Sequence, residues 1–223
     1  MKQEVLNFKF GNKKDFFITS KNKLALNLIS NWPEWNNQFF FLYGPGKCGK
    51  TSICKIWKRK SEALFLNERK IDNFFFNKEG LDKIHQNNWI IDDIDLFLKR
   101  SKNHEKLLNL INILQEKKKS YLLMTAKIPP KFLLTKINDL SSRISSSLVV
   151  KVNDPDNIIL GKIIKKYLEE RAVKIDNSKI DYLINRIERS YNHALKIAKL
   201  IDKKSLESHS QISFNFLKKI LEN

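Results

Sequence analysis

A chain of 223 residues that is 42% hydrophobic, with 15 phenylalanines, can bury a substantial core and is not an intrinsically disordered polymer. No apolar run approaches the roughly 20 residues that a bilayer span needs, and Lys2 is followed by neither an apolar segment nor a cleavage site, so no signal peptide and a cytoplasmic location are expected. Two cysteines (Cys48, Cys54) and four scattered histidines (His85, His104, His193, His209) offer no disulfide framework and no metal-ligand spacing, while the net charge of +18 attracts polyanions.

The chain opens with QEVLNF, in which Gln3, Leu6 and Phe8 could form a short strand, an apolar tail folded onto its own domain, or an extended docking peptide. Ser20 can cap a helix through KNKLALNLISN, with Leu24, Leu28 and Ile29 on one face, and Trp32-Pro33 stops it. QFFFLY is a continuous apolar run and reads as a buried strand. It leads through GPGKCGKT into a helix, KTSICKIWKRK. EALFL is a second strand, and NWIIDDID a third that ends in acids. NHEKLLNLINILQEKKK is an amphipathic helix with Leu107, Leu110, Ile111 and Leu114 on a common face. SYLLMTA is a fourth strand, closed by Pro129-Pro130, and SLVVKV a fifth. Beyond Asn153 only helical periods occur, starting where Asp154 reads as an N-cap and Pro155 as the first helical residue. Strands alternating with helices up to about residue 153 predict an α/β fold: a parallel five-stranded sheet flanked by helices, followed by a small all-α domain.

Gly44 to Thr51 fits G-x-x-x-x-G-K-[ST] between a buried strand and a helix, the context in which such a loop binds phosphate. Backbone N–H groups of Gly44, Pro45's neighbours Gly46, Lys47, Cys48 and Gly49, and the helix start at Ser52 would wrap the phosphates of ADP or ATP. Lys50 would reach the outer phosphates and Thr51 would hold Mg²⁺. Of the acids closing the third strand, Asp92 is the candidate for Mg²⁺ and Asp93 for orienting an attacking water; Asp95 reads as a helix cap. Arg143, just before the fifth strand, and Arg189, in the helical domain, are each able to neutralise phosphate charge, though taken alone an arginine is more often a surface salt-bridge residue. The basic excess is compatible with weak, non-specific DNA contact, and equally with AT-rich coding, since Lys, Asn, Ile and Phe are all heavily used. No helix-turn-helix, zinc-finger or RNA-binding signature offers sequence readout.

In this order the motifs resemble those of the AAA+ ATPases, and among them the replication initiator DnaA. IIDDID resembles the Asp-Asp Walker B of that group, LLMTAKIPPKF its sensor 1 segment, LSSRISSSLVV the box VII segment with the finger arginine, and ERSYNHAL the sensor 2 segment of the lid. The resemblance spans about residues 15 to 223. No counterpart of DnaA's N-terminal helicase-interaction domain or C-terminal DNA-binding domain is expected, and a DnaA-like AAA+ module alone is similar to the Hda family of DnaA regulators. LISNWPEW, with Trp32 and Trp35, looks like its alphaproteobacterial form.

That resemblance implies three parts: a clamp-binding peptide at 1–12, a nucleotide-binding α/β domain at 13–153, and a helical lid at 154–223. Gln3, Leu6 and Phe8 would dock on the β sliding clamp of DNA polymerase III. Arg189 would contact the bound nucleotide, and Arg143 would act in trans on ATP held by DnaA, leaving DnaA in its ADP form and preventing re-initiation. AAA+ modules meet through the finger face, so a homodimer is compatible with this reading. Three departures stand out: Lys47 replaces a usual loop glycine, Lys127 stands where an acid is common in sensor 1 and leaves Thr125 as the polar residue there, and Asp93 is shorter than the glutamate of vigorous ATPases. The first bears on loop geometry; the last two point to a nucleotide-gated regulator with weak intrinsic ATPase activity. Two alternatives remain open: a helicase loader or transposition helper of the DnaC/IstB type, and an independent P-loop enzyme such as a small-molecule kinase.

Overall fold

The computed structural model describes residues 21–74, 78–117, 119–208 and 211–222. The QEVLNF peptide and Ser20 lie outside them. By their contacts these residues form two units, one comprising 24–46 and 50–153, the other 154–222 together with 21–23 and 47–49.

The first unit carries, in chain order, α1 (Lys23–Ser30), β1 (Phe39–Tyr43), α2 (Lys50–Ser61), β2 (Leu64–Phe65), α3 (Glu68–Phe74), α4 (Lys78–Gln86), β3 (Trp89–Ile91), α5 (Ile94–Phe97), α6 (Lys102–Lys117), β4 (Leu122–Ala126), a 3-10 turn at Pro130–Phe132, α7 (Asn138–Ser145) and β5 (Leu148–Lys151). The strands form one parallel sheet in the order β2-β3-β4-β1-β5. A parallel strand covered on both faces needs apolar residues at every position, and Phe39, Phe40, Phe41 and Leu42 are all buried. Phe39 and Phe41 share a cluster with Leu107, Leu110, Ile111 and Leu114 of α6 and with Leu140 and Ile144 of α7. Phe40, one residue out of phase, turns to the other face, where the Trp35 ring lies 4.9 Å from it and stacks on Trp57 at 5.3 Å.

Two local expectations are corrected. On α1 the buried residues are Ala25, Leu26 and Ile29, and Leu24 is 63% exposed; a helix this short offers two apolar stripes, and the one with the small Ala25 is buried. α3, α4 and α7 add to the helices read from the sequence, and α7 lies in the serine-rich DLSSRISSS, where Leu140 and Ile144 mark its buried face. In the second unit, Asp156 and not Asp154 is the N-cap. Its side chain accepts the Ile159 N–H at 2.8 Å, and α8 runs Asn157–Glu169.

α9 (Asn177–Ile184), α10 (Tyr191–Ser208) and α11 (Phe214–Leu221) complete the helical unit. Leu160, Ile164 and Leu168 recur every fourth residue on α8 and meet Ile180, Leu183, Ala194, Ile197, Ile201 and Leu217 in one core. Gly161 brings α8 close to α9: a Cβ there would stand 3.2 Å from Ile180 Cγ2. α9 ends before Glu188, so Glu188 and Arg189 lie on the α9–α10 connection, and the Ser190 hydroxyl accepts the His193 N–H at 3.1 Å to start α10.

Candidate functional site

The register of the sheet assembles the polar residues of the α/β unit. Ile91 pairs with Met124, and Thr125 pairs with Leu42. Asp92, one step beyond β3, therefore meets Thr125 near the carboxyl end of β4, and both lie at the sheet edge from which the Gly44 loop leaves β1. The Gly44 N–H donates to Ala126 O at 3.2 Å, extending the β1–β4 ladder into the start of the loop.

Asp92 is held by two hydroxyls. Thr125 Oγ1 donates to Asp92 Oδ1 at 2.6 Å, and Thr51 Oγ1 donates to Oδ2 at 2.7 Å. Thr125, fully buried, also accepts the Asp93 N–H at 2.9 Å, so one hydroxyl fixes both acids. Asp93 has φ 58 and ψ 56, the left-handed region, at the N-cap position of α5. Asp95 is therefore inside the first turn of that helix and is not its cap, because the chain turns two residues earlier than the acidic run suggests. Burial first, then the charges of Asp92 and Asp95, raise the Asp93 pKa above the ordinary carboxylate value. Burial, again reinforced by Asp92 and Asp93, pushes the Cys54 thiol well up, so this buried free cysteine is a neutral packing residue.

Lys50 is only 6% exposed and donates to the carbonyls of Gly44 and Pro45, both at 2.8 Å. The loop thus folds around its own ammonium group. Lys50 and Thr51 are the first two residues of α2, so their backbone N–H groups belong to the positive, unpaired start of a helix. Gly49 has φ +104, which an L side chain adopts only with strain, and a Cβ there would lie 3.0 Å from the Tyr191 ring. Lys47, the residue that departs from the usual glycine, also has positive φ, at 65°.

Residues 47–49 group with the helical unit. Lys47 Nζ donates to Glu188 Oε1 at 2.9 Å and Oε2 at 3.1 Å, and His193 Nδ1 lies 3.5 Å from Oε2. The buried Asn22 amide donates to the Tyr191 hydroxyl at 3.1 Å, and burial pushes the Tyr191 pKa up to about 12. Arg189 is exposed. Arg143, in the last turn of α7, donates through Nε to Asp139 Oδ1 at 2.9 Å and also to Gln115 of α6. Thus Lys50, Thr51, Asp92 and Asp93 come together with Thr125, whereas Arg143 is held by its own helix and α6. Sequence reasoning gave no role to Glu188, Tyr191, Asn22 or Gln115: the first two lie in the ERSYNHAL segment beside Arg189, the other two in no motif, and only the folded chain shows what each of them touches.

No family model matches the chain. An uncharacterized protein of Haemophilus influenzae is 24% identical over 213 residues, covering 92% of this chain and 91% of its own length. The chromosomal replication initiator protein DnaA of Nautilia profundicola is 24% identical over 229 residues, covering 97% of this chain and 51% of its own length. The chain thus spans about half the length of the DnaA relatives it matches. Among solved structures, domain III of Thermotoga maritima DnaA superposes with a TM-score of 0.76 at 17% identity, covering 93% of each chain. AMPPCP-bound DnaA from Aquifex aeolicus gives 0.71 at 20% identity, covering 86% of this chain and 65% of its own. The chain is similar in sequence to the DnaA initiators, and its fold is that of domain III of Thermotoga maritima DnaA.

Proposed function

We propose that this protein binds an adenine nucleotide at the Gly44–Ser52 loop and acts as a DnaA-related regulator of replication initiation. The observation that carries the nucleotide reading is the Thr51–Asp92–Thr125 chain of hydroxyl–carboxylate bonds beside the Lys50 loop. Thr51 and Asp92 present hard oxygen donors of the kind Mg²⁺ takes while keeping several waters, so the residues fit that ion. When bound there it would neutralise phosphate charge. Lys50 would exchange its two carbonyl partners for phosphate oxygens, and the α2 start would supply N–H donors. Asp93, with its raised pKa, is the carboxylate able to accept a proton from a positioned water, the neighbouring Thr125 fixing its backbone. The AMPPCP-bound state of the Aquifex relative supports this use of the fold.

The finer reading is that of an Hda-type inactivator: an N-terminal peptide with Gln3, Leu6 and Phe8 docks on the β sliding clamp, Arg189 reports on bound nucleotide, and Arg143 reaches ATP held by DnaA. For that, Arg143 must leave Asp139 and Gln115 for a phosphate, a carboxylate-for-phosphate exchange that a guanidinium makes readily. The test has two stages. Mg²⁺-ATP and Mg²⁺-ADP binding should weaken roughly 10–100-fold in Lys50→Ala; equal binding by both proteins overturns the nucleotide reading. Hydrolysis of DnaA-bound ATP on clamp-loaded DNA should then fail with Arg143→Ala, and also with Gln3→Ala/Leu6→Ala/Phe8→Ala. Normal hydrolysis by the Arg143→Ala protein removes the finger assignment, and stable binding to the replicative helicase instead of the clamp would favour a helicase loader.

A further inference from the structure

Resting on the nucleotide reading of the loop, we infer that Lys47 is a second phosphate-binding lysine and that Glu188 is its built-in competitor, a carboxylate standing on the ammonium group that a phosphate oxygen takes when nucleotide arrives. Both Glu188 oxygens lie within 3.1 Å of Lys47 Nζ. An ammonium–carboxylate pair and an ammonium–phosphate pair are the same kind of charge-assisted hydrogen bond, so the two anions compete for the three N–H donors of Lys47, two of which point to Glu188. The Lys47 hydrogen bond is also the main reason that the Glu188 carboxyl sits below its ordinary pKa, with His193 adding to it. Glu188 is therefore the ionised, competing species at neutral pH.

The backbone on both sides of the pair is held in place, so this is more than a chance meeting of two long side chains. The Tyr191 ring packs against Gly49, two residues from Lys47, and its hydroxyl is fixed by the buried Asn22. On the other side, the Ser190 N–H donates to the Glu188 carbonyl at 2.8 Å, a tight turn that aims the Glu188 side chain. Lys47 itself keeps a positive φ that glycine would adopt without strain. A long side chain stands where the backbone favours glycine, and it ends on Glu188. Both partners are about half exposed, 57% and 50%, so the competition is screened by solvent and tunes affinity without blocking it.

The experiment is equilibrium binding of fluorescent ATP and ADP analogues with Mg²⁺, at about 0.15 M salt, to the full chain and to Glu188→Gln, Lys47→Gln and the double variant. Both substitutions are at exposed positions, Glu188→Gln is isosteric, and Lys47→Gln removes the charge while keeping a β-unbranched side chain at the positive φ. Glu188→Gln should bind two- to five-fold tighter than wild type, a range set by the roughly 0–1 kcal/mol of an exposed ion pair. Lys47→Gln should bind more weakly, and adding Glu188→Gln to it should bring no gain. Wild-type affinity or weaker in Glu188→Gln overturns the inference, as does an equal gain in the Lys47→Gln background, because the carboxylate would then act on the ligand without Lys47. Lys50→Ala separates the two readings: a chain that binds no nucleotide, with or without Lys50, loses the nucleotide site and this inference together, whereas Lys50-dependent binding that is indifferent to Glu188 loses only the inference.

Discussion

The α/β unit and the helical unit place their polar residues in opposite ways. In the first, Thr125 is fully buried and Lys50 nearly so, and Asp92 has both oxygens engaged. Each group is fixed by a partner on a neighbouring strand or on the loop itself. In the second, Glu188 and Arg189 are exposed on the connection between α9 and α10, and Glu188 pairs with Lys47 and with His193 in the first turn of α10. The cores differ in the same sense. Strands buried on two faces leave no freedom of register, because a one-residue slip would exchange their two faces. Amphipathic helices that share one apolar stripe leave the residues between them free to differ. Fixed polar geometry therefore sits on strand ends, and exposed ion pairs sit on the helical connection.

That contrast can be broken most forcefully at the core. Trp57→Ala, which removes a fully buried ring stacked on Trp35, should cost about 3–5 kcal/mol in urea unfolding followed by far-UV circular dichroism, which reports both units, and Ile164→Ala in the helical core about 2–5. If the two units unfold separately, Trp57→Ala will move one transition and Ile164→Ala the other; a single shared shift would show one cooperative body. Next comes Thr125→Val, nearly isosteric, which strips Asp92 of one donor and the Asp93 N–H of its acceptor. It should cost about 1–3 kcal/mol and weaken Mg²⁺-dependent binding more than metal-free binding; an unchanged midpoint would mean that the network is not rigid.

Smaller effects sharpen the comparison. The folded-state pKa of Asp93 is raised, so the fold disfavours its ionised form. That destabilisation is fully present above the folded pKa and disappears as pH falls below the ordinary carboxylate value. Asp93→Asn should therefore stabilise at neutral pH, with a gain that fades on acidification, and Asn also tolerates the left-handed backbone there. A pH-independent gain would instead assign the effect to backbone strain. Smallest of all is Gly161→Ala: about 0.8–1 kcal/mol of helix propensity works against a Cβ only 3.2 Å from Ile180, for a net change within about 0.5 kcal/mol. A larger loss would show that α8 and α9 are locked as tightly as the strands.

The strands and their order of appearance were legible because continuous runs such as FFFLY and WII have no other use than two-sided burial. The loop was legible because its spacing and its strand–helix context reinforce each other. α7 was not, because serines mask a stripe of only two apolar residues, and the α1 face was misread because two stripes compete over eight residues. Asp156 replaced Asp154 as the cap because capping depends on which carboxylate can turn back to an N–H three residues on, a geometric fact that two nearby aspartates cannot reveal in one dimension.

By itself the sequence determined an α/β core followed by helices, and a phosphate-type loop with Lys50, Thr51 and a pair of acids, since each of these depends on neighbours along the chain and on hydrophobic period. Only the tertiary structure decided that Thr125 would bind both acids, that Arg143 would rest on Gln115, and that Glu188 would stand on Lys47. These partners lie between 28 and 141 residues apart. Strand register and helix packing join them, and no local propensity encodes either.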